Sequence, residues 1–341
     1  MAVGSILSAG MSKVAATWLT AQLKSWQEEK KEKRNDERSW NSVTASIIKQ
    51  TKAVCSRYER VTTVAFPNRT VNLWDIYEPS TLSEIDKEDS YRIDSYPESL
   101  FETHNKILVI DVAGMGKSTT SRAIYLKAID ERKILPILID LRRLTGEDPI
   151  EVSIAKQFSI ADKNISALSE MIFSNKVLFI FDGFDEIAGK SKIHVSRQIR
   201  SFVDRAELGV FMITSRPEII FGEYTDFTKM HIDGLRSSQA HSLITRYGNA
   251  YSIQECAAAL LDELKARHDA PVSSFLENPL LTSLLFRSFE YKSIVPVKGA
   301  SNNPLLGMAI AAFVSSWHAT NRFGFDRESF RARVQRLKCN R

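Results

Sequence analysis

Cysteine is scarce in this sequence, and positively and negatively charged residues are nearly equal in number. The 341 residues contain three cysteines, at positions 55, 256 and 339, which are far apart. A small, odd number of distant cysteines excludes a disulfide framework and fits a reducing compartment, so we expect a cytoplasmic protein. The 46 Lys and Arg residues outnumber the 41 Asp and Glu residues by five. That excess is too mild for this length to indicate nucleic-acid binding.

Long apolar runs and metal-ligand clusters are also missing. The most apolar early stretch, residues 2–23, is interrupted by serine, threonine, lysine and glutamine and has no positive region before it. We therefore expect neither a transmembrane segment nor a signal peptide. The six histidines are scattered singly. The remaining composition, 43% hydrophobic and 26% charged, is typical of a globular protein long enough for two or more domains.

A short apolar strand beginning at Ile107 leads into a glycine-bearing turn and the start of a helix. Gly116, Lys117 and Ser118 fit the end of the phosphate-binding P-loop pattern, G-x-x-x-x-G-K-[ST]. Glycine, here also at Gly114, lets backbone N–H groups point at phosphate oxygens, and the helix start adds its positive dipole end. The pattern predicts that Lys117 reaches the β- and γ-phosphates and that Ser118 binds Mg²⁺.

The first glycine of this pattern falls at position 111, where the chain has aspartate. Aspartate adopts unusual backbone angles more readily than most residues, so the turn can survive. A carboxylate near a polyphosphate is nevertheless unfavourable unless it points away. On the motif alone, a strand followed by a glycine-rich helix start without any ligand stays an open interpretation.

Apolar strands alternate with helices through the middle of the chain, which predicts an α/β domain with a parallel sheet. Helices are expected before residue 57 and after residue 234, and β-type runs at 61–66 and 71–77. The buried strands are predicted at 107–112, 134–141, 177–182, 210–214 and 230–233, and the helices among and after them at 117–132, 149–158, 165–174, 192–207, 237–247, 253–267, 279–289 and 305–320.

Two of these strands end in polar signatures at the edge where such sheets bind ligands. Asp182 follows a five-residue apolar run, the arrangement known as Walker B, and is expected to face Mg²⁺ directly or through water. Asp185 and Glu186 come just beyond and are candidates for a base that orients or activates water. Arg216 follows the next strand and is a candidate for sensing the γ-phosphate.

This combination resembles the NACHT family of STAND-type P-loop NTPases. The matching motifs are Ala113-Gly-Met-Gly-Lys-Ser-Thr119, Asp182-Gly-Phe-Asp-Glu186 and Thr214-Ser-Arg-Pro217. In this pattern the small residue Gly183 follows Asp182, and the acidic pair comes two places later. Many related ATPases instead carry Glu directly after the Asp. Further likenesses, within residues 70–320, lie at Trp74–Pro79, 135–141, 232–235 and Asn278-Pro279.

The resemblance implies an α/β P-loop NTPase parallel sheet, STAND- or AAA+-like, flanked by N-terminal and C-terminal helical regions. Family members usually continue beyond the point where this chain stops, so the C-terminal part is expected to be short. The implied regions are an N-terminal helical effector or interaction region (1–60), a β-type and polar lead-in (61–105), the NACHT nucleotide-binding domain (106–235), a helical domain (236–300) and the start of a winged-helix-like or truncated helical region (301–341).

The resemblance also implies ATP or ADP with Mg²⁺ as the bound cofactors. The implied metal ligands are Ser118 and Asp182, and the implied catalytic residues are Asp185, Glu186 and Arg216. The implied nucleotide contacts are Ala113, Gly114, Met115, Gly116, Lys117, Ser118, Thr119 and Pro279.

Proteins that this chain resembles hold ADP at rest, exchange it for ATP on a trigger, oligomerise and activate an N-terminal effector, in antiphage defence or innate immunity. The resemblance thus implies a slow Mg²⁺-dependent ATPase, a self-oligomer and an unknown, phage- or pathogen-derived trigger. Two alternatives stay open. One is a steady-turnover AAA+-type ATPase, which Gly183 and the mild charge disfavour. The other is a non-catalytic interaction protein whose P-loop is degenerate because of Asp111.

Overall fold

The computed structural model describes residues 11–29, 37–266 and 275–294. The predicted helix at 305–320, the predicted region 301–341 and Cys339 lie outside these ranges. The described helices are α1 (Lys13–Glu29), α2 (Glu37–Glu59), α3 (Leu73–Ile76), α4 (Glu98–Thr103), α5 (Lys117–Asp130), α6 (Ile150–Gln157), α7 (Ile165–Phe173), α8 (Gly189–Arg205), α9 (Ser237–Ala250), α10 (Gln254–Ala266) and α11 (Pro279–Ile294). The strands are β1 (Arg60–Thr62), β2 (Thr70–Asn72), β3 (Thr81–Glu84), β4 (Ser90–Arg92), β5 (Lys106–Ile110), β6 (Leu135–Asp140), β7 (Val177–Asp182), β8 (Val210–Ser215) and β9 (Thr228–Ile232).

A seven-stranded sheet with the order β4-β3-β9-β5-β8-β7-β6 forms the first of two compact units. Its five strands from β9 to β6 run parallel, and β3 pairs antiparallel with both β9 and β4. The parallel strands β6, β7 and β8 are almost wholly buried, as expected where helices cover both faces of a sheet. The predicted α/β fold with a parallel sheet is confirmed.

An aromatic cluster fixes helix α8 against the sheet. The ring of Phe202, on α8, lies 4.9 Å from that of Phe179 on β7, and Phe179 stacks on Phe211 of β8 at 5.4 Å. All three side chains are fully buried. Because burying an aromatic side chain contributes about 1.5–3 kcal/mol, these rings stabilise the packing of α8 on β7 and β8.

Helices α1 and α2 belong to the same compact unit as the sheet. Ser39 Oγ, on α2, donates to Asn164 Oδ1 over 2.8 Å, and the ring of Tyr58 meets that of Tyr125 of α5 edge-on at 5.2 Å. Helix α2 therefore packs on the helices that cover the sheet. The predicted boundary at residue 60 between an N-terminal region and the rest stays a prediction.

The second compact unit takes in residues 61–78 and the described residues from Gly234 onward. Its helices α9, α10 and α11 agree with the predicted helices after residue 234. Phe66 stacks on Tyr251 at 3.9 Å, and the buried carboxylate of Glu78 accepts a hydrogen bond from Ser242 over 2.7 Å. These contacts join the segment before β3 to helix α9.

The lead-in segment was only partly predicted. The expected β-type run at 71–77 is wrong beyond Asn72, because residues 73–76 form helix α3. The Asn72 side chain accepts from the backbone N–H of Trp74 over 2.9 Å and so caps this helix. Strands β3 and β4 were not predicted, since such short, polar strands lack the apolar run that marks a central strand.

Candidate functional site

The loop between β5 and α5 has the geometry of an anion-binding turn. Gly114 and Gly116 have φ angles of 87° and 95°, the left-handed region that favours glycine. Gly116 is the N-cap of α5, and no side chain caps this helix or places an acid in its first turn. A Cβ at Gly116 would meet no atom within 4 Å. The N–H groups that begin α5 are therefore accessible to an anion.

Lys117 lies inside this loop. Its Nζ donates to the carbonyl oxygens of Asp111, over 2.7 Å, and of Val112, over 2.8 Å. Burial lowers the pKa of the Lys117 ammonium, while the carboxylates of Asp185 and Asp111 act in the opposite direction. The ammonium is thus held at the loop by carbonyls, which a stronger acceptor such as a phosphate oxygen can replace.

The other predicted loop residues divide by exposure. Ser118 and Thr119 are exposed on the first turn of α5, so their hydroxyls are accessible to a ligand. Ala113 is partly exposed in the loop, and Met115 is buried. Met115 therefore supports the loop from below through its side chain, which leaves only its backbone for contact with a ligand.

Both carboxylate oxygens of Asp111 accept backbone hydrogen bonds. Oδ1 accepts from the N–H of Val112 over 2.6 Å, and Oδ2 accepts from the N–H of Ile232, on β9, over 2.9 Å. Its φ angle is not among the positive ones. The predicted need for an unusual backbone angle at this position is therefore not met, because the turn depends on Gly114 and Gly116 instead.

Asp182, the last residue of β7, is held by two hydroxyl groups. Its Oδ1 accepts from Thr214 Oγ1, on β8, over 2.6 Å and from Ser121 Oγ, on α5, over 3.1 Å. Thr214 Oγ1 also accepts from the N–H of Gly183, whose φ of 81° lets the chain turn sharply after the strand. Ser121 lies one turn after Ser118, on the same side of the helix, so this network brings Asp182 to the Ser118 face of α5.

Asp185 and Arg216 form an ion pair between the ends of β7 and β8. Asp185 Oδ2 lies 3.0 Å from Arg216 Nε, and Asp185 Oδ1 accepts from the backbone N–H of Arg216, also over 3.0 Å. The Asp185 side chain is only 11% exposed. Both oxygens of this carboxylate are therefore engaged by Arg216.

Glu186 is paired with an arginine that the sequence did not single out. Its Oε2 lies 3.3 Å from Nε of Arg142, and Arg142 donates from Nε and Nη2 to Asp140, each over 2.8 Å. Burial raises the pKa of the Glu186 carboxyl; Arg142 opposes that rise, and Asp185, Asp182 and Asp140 add to it. The pKa of the Glu186 carboxyl therefore lies above the ordinary value for glutamate.

Four residues of this site were missed from the sequence: Ser80, Ser121, Asp140 and Arg142. Ser80 Oγ lies 2.8 Å from the hydroxyl of the buried Thr120 on α5. Only Asp140 had a signal, because an Asp at the end of an apolar strand repeats the pattern that marked Asp182; Arg142 follows it two residues later. The pairing register sets Asp140 directly beside Asp182.

Pro279 lies in the second unit, as the first residue of α11. Asn278 precedes it, and its Oδ1 accepts from the N–H groups of Leu280, over 3.0 Å, and Leu281, over 3.2 Å. This is an ordinary helix cap, in which proline supplies no donor and suits the first turn. Its predicted contact with a nucleotide stays a prediction.

Neither a metal-binding cluster nor a membrane-spanning helix occurs among the described residues. Within ranges 11–29, 37–266 and 275–294, no three His, Cys, Asp or Glu side chains are grouped to hold a metal ion. Mg²⁺ bound with a nucleotide takes only one or two protein ligands, so Ser118 and Asp182 suit it. None of the described helices combines the length and hydropathy needed to cross a bilayer.

Comparison with known proteins agrees with this geometry. Residues 106–251 match the family model described as the NACHT domain. A search of curated proteins gave no match. The matched range begins at β5 and includes the glycine turn, Asp182, the acidic pair and Arg216. Residues 106–251 therefore form a NACHT domain, the nucleotide-binding domain of STAND-type P-loop NTPases.

Proposed function

We propose that this chain is a regulatory ATP switch that hydrolyses ATP slowly with Mg²⁺, exchanges ADP for ATP and oligomerises to signal. The observation that carries the proposal is the hydrogen bond from Ser121 to Asp182. It joins the helix that starts at the glycine turn to the acidic end of β7. This contact supports a shared location for the groups proposed to bind phosphate and magnesium.

In this proposal the N–H groups of residues 113–119 and the Lys117 ammonium bind the phosphates. Ser118 and Asp182 hold Mg²⁺, Asp182 through its Oδ2, because Oδ1 is already engaged by two hydroxyls. Bound magnesium would neutralise charge on the phosphates. Pro279 is proposed to contact the base, which rests on the resemblance alone.

Arg216 is proposed to report the γ-phosphate. It is bound to Asp185 in the structure, and a γ-phosphate would compete for the same guanidinium. ATP then makes a contact that ADP does not, and a ligand shifts an equilibrium only through such a difference. The Arg216–Asp185 pair would therefore be favoured with ADP and broken with ATP.

The wider role rests on the resemblance of the motifs to NACHT proteins. We propose a cytoplasmic protein that acts in innate immunity or antiphage defence on a phage- or pathogen-derived trigger. The described N-terminal helices pack on the nucleotide-binding unit, which supports a route by which nucleotide state reaches them.

Nucleotide binding by the purified chain tests the proposal. The nucleotide released on denaturation is identified by chromatography, and affinity for a fluorescent ATP analogue is measured with Mg²⁺. Lys117→Ala removes a charged partner of the phosphates and should weaken binding by about 10- to 100-fold. Lys133→Ala is the control, because Lys133 lies beyond the far end of α5 and pairs with Glu98.

Three results would contradict the proposal. Equal ATP affinity in Lys117→Ala and wild type would exclude the loop as the binding site. No nucleotide binding by wild type would favour the interaction-protein alternative. Fast turnover stimulated by DNA, with a steep dependence on salt, would favour the steady AAA+-type ATPase.

A further inference from the structure

The two acidic residues after β7 lie on opposite sides of that strand. In the sheet, β7 lies between β8 and β6, and β8 is the neighbour of β5. Asp185 pairs with Arg216, which follows β8, whereas Glu186 pairs with Arg142, which follows β6. Glu186 is therefore drawn to the side away from β5 and the glycine turn.

The charges around Lys117 agree with this separation. Asp185 is the carboxylate that most raises the pKa of the Lys117 ammonium, and Asp111 and Asp182 contribute as well. Asp185 is thus the acid of the pair that acts on the group proposed to bind the γ-phosphate.

Arg142 is itself fixed in place. Both its Nε and its Nη2 donate to the Asp140 carboxylate over 2.8 Å, and its backbone N–H donates to the same carboxylate over 3.2 Å. Asp140 ends β6, a strand paired along its length with β7. Arg142 is consequently an anchored cation rather than a freely moving surface side chain.

We propose that Arg142 is a positioning residue that restrains ATP hydrolysis by tethering Glu186 on the β6 side of strand β7. The inference rests on the proposed ATPase function. A general base must come within hydrogen-bond reach of the attacking water. The tether keeps Glu186 from that position, and its release permits the step.

In the released state Glu186 accepts a proton from water as the water oxygen bonds to the γ-phosphorus. The bond from that phosphorus to the bridging oxygen breaks, and its electron pair leaves with ADP. The products are ADP and phosphate, with the proton first on Glu186. Arg142 touches neither reacting atom, so its effect is on the availability of Glu186.

The test compares Arg142→Ala with Arg143→Ala in the full chain. Arg143 is the matched control, because it lies 3.5 Å from the same Asp140 carboxylate but is 80% exposed and has no pairing with Glu186 among the described contacts. Affinity for the fluorescent ATP analogue and the single-turnover rate with radiolabelled ATP are measured separately. Arg142→Ala should raise that rate about three- to fivefold, the range of an exposed ion pair, with unchanged affinity.

Further variants separate the tether from a general loss of structure. Arg142→Gln should behave as Arg142→Ala does, Arg142→Lys should restore the slow rate, and the gain should vanish when Glu186→Gln is added. A damaged fold cannot produce a faster rate that depends on Glu186. Thermal melting of each variant shows that it is folded.

If Arg142→Ala hydrolyses ATP in a single turnover no faster than wild type, the proposed tether between Arg142 and Glu186 is wrong. Equal acceleration by Arg143→Ala also overturns it, because the effect would then be one of general charge. If wild type binds ATP but no variant hydrolyses it, the tether falls while the nucleotide-binding function stands. If wild type binds no ATP, the proposed function falls, and the tether falls with it.

Discussion

Asp111→Gly restores the usual P-loop glycine, yet the structure predicts that it weakens the protein. The substitution removes the acceptor for the N–H of Ile232, which is partly buried, and for the N–H of Val112, which is exposed to water. Leaving the Ile232 N–H without a partner and adding glycine's backbone entropy should together cost about 2–3 kcal/mol of unfolding free energy. For a unit of this size, that is a fall in Tm of about 4–10 °C.

The same carboxylate holds the first residues of the loop, so nucleotide affinity should also fall in Asp111→Gly. If the full loss of about 2–3 kcal/mol appeared in binding, affinity would fall about 30- to 150-fold, which is the upper limit. Asp111→Asn should be intermediate, because an amide offers one acceptor and directs a donor at the other N–H. Thermal melting and titration with a fluorescent ADP analogue measure both effects. An unchanged Tm with tighter binding in Asp111→Gly would refute the reasoning.

Three further predictions concern other parts of the chain. Arg142 favours the ionised form of Glu186, so Arg142→Ala should raise the pKa of that carboxyl and move the midpoint of the rate–pH profile to higher pH; an unmoved midpoint would exclude Glu186 as the base. Gly248→Ala should destabilise the second unit by about 1 kcal/mol, because overpacking outweighs the gain in helix propensity; the new Cβ would lie 2.6 Å from Cβ of Ala257, and a higher Tm would contradict this. Burial raises the pKa of the Cys55 thiol to about 12, so Cys55 should resist alkylation at pH 8 until the protein is unfolded, as peptide mass spectrometry would show.

The sequence predicted the parallel sheet well because each central strand is a continuous apolar run. Strand β7 was predicted at the residues that form it, and helix α5 at its starting residue. Such runs can be buried in only a few ways, and the glycine turn marks where the first helix begins. Strand β4 and helix α3 were not predicted because their residues are polar or mixed. Pairing with β3 determines the structure of β4, and the cap by Asn72 determines that of α3.

For the site, the sequence by itself determined which residues gather at one edge of the sheet. The end of β7 carries Asp182, the end of β8 leads to Arg216, and the end of β5 leads to Lys117. In a parallel sheet these ends share one edge, so their proximity follows from the strand pattern alone. The family resemblance followed from the same residues and their spacing.

Only the tertiary structure decided how the side chains are paired. Asp111 accepts hydrogen bonds from backbone groups 1 and 121 positions away in the chain, and adjacent Asp185 and Glu186 bind arginines on opposite sides of one strand. Local sequence does not encode the order of the strands in the sheet. That order alone decides which strands are neighbours, and so which side chains at the strand ends can pair. The role of Asp185 or Glu186 depends on the arginine that pairs with it, and each arginine follows a strand that is distant in the chain.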